Sequence, residues 1–465
     1  MQKLAFMLYK LGWRAALPLL KRNPRLKEGY AQRIFDSPPQ GPADIWIQAA
    51  SAGEAYLADT LVHEIAKMDS ARHSNILVTT NTRQGMDILL QTKAGIEKSR
   101  AQTKPAAQTT ISLELAFFPF DQPAIMDSAV RHVAPKVMVL LETEIWPGLL
   151  SALRRHKRRV VIVNGRMTEK SLKGYEMMPG LWPELSPDRV LAVSRADADR
   201  FARLFGKKRV DVMANIKFDR VRINPEPAGA ETDTEAEAGA GTLGLPAESP
   251  FVVLGSIRQE EEADVGRMIR ALLHRRPELV IGLFPRHMHR LPAWQQHLSR
   301  MEAPGPANRA GQKGISQKRL NWTFRSRMTE APVLPGSLVL WDCFGELAAG
   351  YAHADAVFVG GSLAPLGGQN FLEPLMHGRV PVIGPSWENF AWVGPEVFSR
   401  GLVRRVENWQ SAAAELIRQI EAAPPRNEIK RAAAAYIAAH QGGTRQACQR
   451  IAELLAAGEK GTQPS

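Results

Sequence analysis

Short, largely apolar runs alternate along the chain with longer stretches whose apolar positions recur every three to four residues. The runs fall at 45–49, 76–79, 137–141, 160–163 and 190–193, and again at 251–254, 279–284, 338–340, 356–359 and 380–383. Helical spacing follows the first two runs, at 54–67 and 85–90. A run too short for a helix and apolar at nearly every position reads as a strand buried on both faces. Strands alternating with helices predict parallel sheets flanked by helices. The grammar occurs twice. The expected fold class is therefore α/β, with two doubly wound Rossmann-like domains facing across a cleft. Such sheets bind ligands beyond the carboxyl ends of their strands.

The pattern also sets boundaries. Domains are expected at 36–222 and 251–425. Between them, 223–250 is rich in Ala, Gly, Glu and Thr, with six acids and no base, and reads as an exposed linker. Residues 303–318 are polar and Gly-rich and read as a loop. Segment 426–465 reads as terminal helices and tail, broken at Gly442-Gly443.

Residues 1–35 differ from the rest. They hold Lys3, Lys10, Arg14, Lys21, Arg22, Arg25, Lys27 and Arg33 against one acid, Glu28. Lys3, Lys10, Arg14 and Lys21 are spaced by 7, 4 and 7 residues, which places them on one helical stripe. Leu4, Met7, Leu8, Leu11, Trp13, Ala15 and Leu19 fill much of the remainder. The apolar runs are far shorter than the ~20 residues of a spanning helix. This is the pattern of a helix lying in a membrane interface with Trp13 as an aromatic anchor, bent or ended at Pro18. A docked terminal helix with a solvated basic face is the alternative. No cleavable signal peptide is expected.

Composition narrows the function. The chain has 465 residues, 45% hydrophobic and 23% charged, which excludes a disordered or collagenous chain. Its two cysteines, Cys343 and Cys448, are too few for a disulfide framework or a four-thiolate metal site. A net charge of +13 favours an anionic partner. The basic residues show no interleaving with aromatics of the kind that stacks nucleic-acid bases, so a nucleic-acid-binding protein is a remote alternative.

Candidate chemistry lies where the expected strands end. After 45–49 comes Ala50-Ser51-Ala52-Gly53-Glu54. Glu54 belongs in the first turn of a helix, where the dipole should keep it ionised as a base, unless it serves only as a cap. After 137–141 come Glu142 and Glu144, on one side if the strand continues. Two acids at that point are used or paired. Pro285-Arg286-His287 follows 279–284 and suits a phosphate or nucleotide. Gly360-Gly361-Ser362 and Gly367-Gly368-Gln369-Asn370-Phe371-Leu372-Glu373-Pro374 let backbone amides approach a ligand, with Glu373 placed to accept from a ribose diol. Neither the P-loop motif nor the Gly-x-Gly-x-x-Gly fingerprint is present.

Ser51-Ala-Gly-Glu54, Glu142-Thr-Glu-Ile-Trp-Pro147, Asn164-Gly-Arg166, Lys217-Phe-Asp219, Pro285-Arg-His287, Gly345-Glu-Leu347, Phe358-Val-Gly-Gly-Ser362 and 367–374 occur in that order. Together they resemble the 3-deoxy-D-manno-octulosonic acid (Kdo) transferases of lipopolysaccharide inner-core synthesis. The resemblance implies a GT-B glycosyltransferase, inverting, using CMP-Kdo as donor and a lipid A precursor as acceptor. It implies work at the cytoplasmic face of the bacterial inner membrane, with an anionic membrane surface as partner, no nucleic acid, no metal and no cofactor. By the same resemblance Glu54 is the proton acceptor, and Glu142 and Lys217 stabilise the transition state. Pro285, Arg286, Phe344, Gly345, Glu346, Asn370, Phe371, Leu372 and Glu373 hold the CMP moiety. The sequence departs from the family at Gln48, Arg258 and Gln369, where His is usual. A GT-B transferase or epimerase acting on a UDP-sugar is the alternative within enzymes.

Overall fold

A computed structural model describes residues 2–68, 74–102, 111–178, 180–221, 243–304, 317–328, 332–422 and 424–459. The expected acidic linker up to residue 242, and residues 305–316 of the expected loop, lie outside the described residues. The chain forms two compact units, 1–222 with 440–465, and 223–439.

The first unit carries strands β1 (Ile45–Ala49), β2 (Asn75–Thr80), β3 (Ser112–Phe117), β4 (Val137–Leu141), β5 (Arg159–Gly165), β6 (Arg189–Ala192) and β7 (Val210–Val212). Their order is β3-β2-β1-β4-β5-β6-β7, all parallel. Alternation along β1 explains the two cores. Ile45, Ile47 and Ala49 pack with the helices Ala52–Ile65 and Gly443–Glu459 on one face. Trp46, Met138 and Leu140 pack on the other, with the helices Pro123–Val133, Pro147–Arg155 and Arg195–Phe205. A strand buried on both faces favours apolar residues at nearly every position, which is why β4 was legible as an unbroken run and β1 as a run interrupted only by Gln48.

The second unit carries β8 (Phe251–Ile257), β9 (Val280–Pro285), β10 (Glu302–Pro304), β11 (Gln317–Arg319), β12 (Asn321–Phe324), β13 (Ser337–Leu340), β14 (Ala356–Val359), β15 (Pro381–Ile383) and β16 (Arg404–Arg405). Its main sheet is parallel in the order β12-β13-β9-β8-β14-β15-β16. Helices Glu262–Arg275 and Trp409–Glu421 cover one face. On the other, Phe284 stacks on Trp341 at 4.2 Å, and a side chain at Gly350 would meet the Phe284 ring. β10 and β11 form a separate antiparallel pair that brackets the two ends of the stretch expected to be a loop. The two units are the doubly wound halves of a GT-B type fold.

In each main sheet the strand order reverses beside the first strand, β1 or β8. Adjacent connections leave in opposite directions there, opening a crevice at the carboxyl ends.

The first helix runs Gln2–Leu20 and continues through Pro18, which lies in its last turn. Phe6, Tyr9, Trp13, Ala16, Leu17 and Leu20 are the partly covered positions, a docked stripe at helical spacing. Tyr9 Oη donates to Asp121 at 2.6 Å, and the Trp13 ring lies 6.0 Å from Phe120. Trp13 is thus held by the protein and is not a free anchor. Met7, Leu11 and Leu19 remain exposed, as do Lys10, Arg14 and Lys21. The side chains of Lys3, Leu4 and Leu8 lie outside the described set. Among the described residues no helix is long and apolar enough to cross a membrane.

The segment 426–465 is divided by the fold. The helix Arg426–His440 ends at the unit boundary, and the last helix belongs to the first unit.

Candidate active site

In the first unit, β1 ends at Ala49 and the helix Ala52–Ile65 starts at once. Ser51 caps it, its hydroxyl accepting from the Glu54 amide at 3.3 Å. The Glu54 carboxylate turns back toward the chain entering the helix. It accepts from the Ala50 amide at 2.7 Å and from the Ser51 hydroxyl at 3.1 Å. The side chain is held in one orientation, and the residue is only 8% exposed.

The expectation that the helix dipole keeps Glu54 ionised is overturned. Its pKa is pushed up to about 8, first by burial and then by the charge of Glu144, with Glu142 adding to it. The amide and hydroxyl bonds oppose this and are outweighed. A dipole effect is worth about 0.3–1 kcal/mol at an exposed helix end, whereas desolvation moves a buried carboxyl by up to 3–5 units. In the unliganded protein Glu54 holds its proton through most of the neutral range. A general base works best with a pKa near the operating pH.

Glu142 and Glu144 do not sit on a continued strand. β4 stops at Leu141, and Glu142 takes the left-handed conformation at φ +53°. Its amide still donates to Val163 of β5, at 3.0 Å. Such a conformation costs a non-glycine residue about 1–3 kcal/mol, so the surroundings must enforce it. The side chain meets Lys217, Nζ to Oε1 at 2.8 Å, with Arg166 Nη1 at 3.9 Å from the same oxygen. Glu144 accepts from Trp146 Nε1 at 2.6 Å and from Gln48, yet burial raises its pKa. Of the three carboxylates, Glu142 alone has a cation in contact among the described residues. Glu54 and Glu144 share a field they cannot both ionise in cheaply.

Gln48 is fully buried on β1. It donates to Asn81 Oδ1 at 3.3 Å and accepts from the Thr79 hydroxyl at 2.6 Å. A neutral amide thus joins a hydrogen-bond chain that reaches Glu144.

Lys217 sits on a single turn, Ile216–Asp219, capped by Asn215, whose Oδ1 accepts from the Lys217 amide at 3.0 Å. The buried Asn164 at the end of β5 accepts from the Ile216 amide at 3.0 Å. Asn164 also has positive φ, +57°. Its place in the Asn-Gly-Arg motif is therefore structural.

In the second unit, the residues assigned to the nucleotide follow β9, β13 and β14. Pro285 closes β9, and the exposed Arg286 follows, its amide donating to Ile257 of β8 at 2.8 Å. Phe344 and Gly345 follow β13. Phe344 is 84% exposed, and Gly345 has φ +84° with open space where a side chain would project. Glu346 accepts from Arg325 Nε at 2.7 Å and from Trp341 Nε1 at 2.9 Å. Asn370 is exposed, and its Oδ1 accepts from the Leu372 amide at 3.2 Å. Phe371 and Leu372 turn their side chains into the core, so they offer a ligand only backbone. Glu373 lies on the short helix Leu372–Met376, and burial raises its pKa.

One residue that builds this site was missed. Glu261 is fully buried, and its carboxylate accepts from the Gly361, Ser362 and Leu363 amides at 2.5, 2.8 and 2.8 Å. It shapes the glycine turn after β14. The sequence signal was only an acid among four charged neighbours, which reads as surface. Gly368 then donates to Gly361 O at 2.7 Å, tying the two glycine pairs together.

Four further observations come from known proteins. Residues 23–220 match the family described as 3-deoxy-D-manno-octulosonic-acid transferase (kdotransferase). A 3-deoxy-D-manno-octulosonic acid transferase of Bordetella pertussis is 27% identical over 433 residues, covering 89% of this chain and 88% of its own. Its counterpart in Haemophilus influenzae is 28% identical over 415 residues, 86% of this chain and 84% of its own. Among solved structures, a glycosyltransferase from Rickettsia africae aligns with 89% of this chain and 99% of its own, with a TM-score of 0.51 at 11% identity. That last likeness concerns the fold alone.

Proposed function

We propose a function from one premise: the chain belongs to the 3-deoxy-D-manno-octulosonic acid (Kdo) transferase family. It is a glycosyltransferase that moves Kdo from CMP-Kdo to a lipid A precursor in lipopolysaccharide core synthesis. The observation that carries the mechanism is the buried Glu54, fixed by Ala50 and Ser51 beside the Glu142–Lys217 pair.

Glu54 takes the proton from an acceptor hydroxyl. The oxygen attacks the anomeric carbon of Kdo as the bond from that carbon to the CMP phosphate oxygen breaks. CMP leaves with the electron pair, and the configuration inverts. One displacement needs one base and no covalent intermediate. Lys217, oriented by Glu142, offsets negative charge on the donor as it departs. The first unit binds the acceptor, and the second binds CMP-Kdo. There Arg286 meets phosphate, Phe344 and Gly345 leave room for the nucleoside, and Glu373 accepts from ribose hydroxyls.

The exposed stripe of Met7, Leu11 and Leu19, bordered by Lys10, Arg14 and Lys21, supports docking of the first helix on an anionic lipid surface. The face concerned is the cytoplasmic side of the inner membrane.

The test is purified protein with CMP-Kdo generated in situ and a tetraacylated lipid A precursor, read by product mass. UDP-hexoses in the same assay separate this reading from a UDP-sugar enzyme. A mass gain of Kdo units is the expected result, and transfer only from a UDP-sugar would replace it.

A further inference from the structure

The start of the last helix is wrapped around the turn that carries Lys217. Gln441 Nε2 donates to the carbonyls of Phe218 and Val221, at 3.0 and 3.2 Å. Asp219 Oδ1 accepts from the Gly442 amide at 2.6 Å. Asp219 Oδ2 accepts from the Thr444 amide at 2.6 Å and from its hydroxyl at 2.5 Å. Gln446 Oε1 accepts from the Ala214 amide at 3.0 Å, and Phe218 stacks on His440 at 4.9 Å. The two glycines permit this approach. Gly442 has φ +104°, and a side chain at Gly443 would lie 2.1 Å from the Ala214 carbonyl oxygen.

A four-residue helix does not hold itself, because its first turn fixes several dihedrals for one hydrogen bond. Lys217 adds a flexible four-carbon stem with many accessible rotamers. Its meeting with Glu142 therefore depends on where its backbone is held. We propose that Asp219 is a positioning residue for Lys217, clamping the start of the last helix and through it fixing the turn that presents Lys217 to Glu142. The C-terminal segment is then part of the catalytic scaffold of the first unit. Asp219 touches neither donor nor acceptor.

The inference rests on the role proposed for Lys217, and the test separates the two. The full chain is prepared as wild type, Asp219→Asn, Lys217→Met and the double variant, with Thr444→Val as a milder lesion that keeps the Thr444 amide bond. Transfer from CMP-Kdo is measured as kcat and KM. Asp219→Asn should lower kcat on the order of 10- to 100-fold, as expected for displacing a reacting group by about an ångström, with KM for CMP-Kdo unchanged. In the Lys217→Met background the same change should cost less than about 3-fold, because the group it positions is gone. Thr444→Val should repeat the pattern at smaller size, which covers the case in which Asp219→Asn does not fold. Equal losses in both backgrounds, or a rise in KM in place of a fall in kcat, would overturn the positioning role. Wild-type turnover that survives Lys217→Met would overturn the role of Lys217 and the inference with it. Absence of wild-type transfer would overturn the functional reading itself.

Discussion

Lys217 Nζ lies 2.8 Å from Glu142 Oε1, across 75 residues of sequence. The pair compensates one of three carboxylates and leaves Glu54 and Glu144 to influence each other.

Glu54→Gln should lower kcat roughly 100- to 10,000-fold, the usual contribution of a general base. CMP binding should be nearly intact, since the residue is assigned to the acceptor hydroxyl. Product mass and calorimetry with CMP are the measurements, and near-wild-type turnover would remove Glu54 from the mechanism.

The pH profile follows from the same residue. Transfer requires the ionised base, so kcat/KM should rise as pH climbs through about 8. Glu144→Gln removes a negative charge that holds the Glu54 proton on. The acid limb should then move to lower pH. Stability carries the opposite sign. The folded protein keeps this proton above the ordinary carboxyl value of 4.5, so the contribution is full below that value and is lost by about pH 8. Glu54→Gln should therefore melt higher than wild type at pH 9. An unshifted limb in Glu144→Gln would break the proposed coupling.

Glu373→Ala should weaken CMP binding by about 1.5–3 kcal/mol, the worth of a hydrogen bond to a charged group. Calorimetry reads this directly. Unchanged affinity in a folded variant would make the loop structural.

Glu261→Ala leaves three inward amides without their acceptor. Each such loss costs roughly 1–3 kcal/mol, so the variant should unfold at clearly lower urea and bind CMP poorly. Wild-type stability would show that water replaces the carboxylate.

Changing Lys10, Arg14 and Lys21 together to Gln should release the protein from anionic vesicles, at about 1 kcal/mol per charge. The wild type should lose binding at high salt in the same way. Activity on a short-chain soluble acceptor should survive, because these exposed side chains are outside the proposed site. Undiminished cosedimentation would refute the lipid-facing role.

The sequence determined the doubly wound pattern through its central strands. β1, β4, β9 and β14 are buried on both faces, so nearly every position carries the signal, with the buried Gln48 of β1 as an exception. It determined little about β3, β7, β12 and β16, the four outer strands of the two main sheets. Edge strands are covered on one side, short, and mixed in composition, and they form because a neighbour offers hydrogen bonds. The candidate residues were legible as motifs after strand ends, since the backbone places those positions beyond the carboxyl edge. Their electrostatics were not. Helix position alone favoured an ionised Glu54, while its pKa is set by burial and by Glu144, which lies 90 residues away in sequence. Gly442-Gly443 read as a break between helices. Only tertiary structure shows why glycine stands there, because only then does the Ala214 carbonyl lie where a side chain would be. Local pattern specifies which elements form and which way their ends point. Desolvation, charge coupling and close backbone approach depend on residues distant in sequence, and they exist only once the chain has folded.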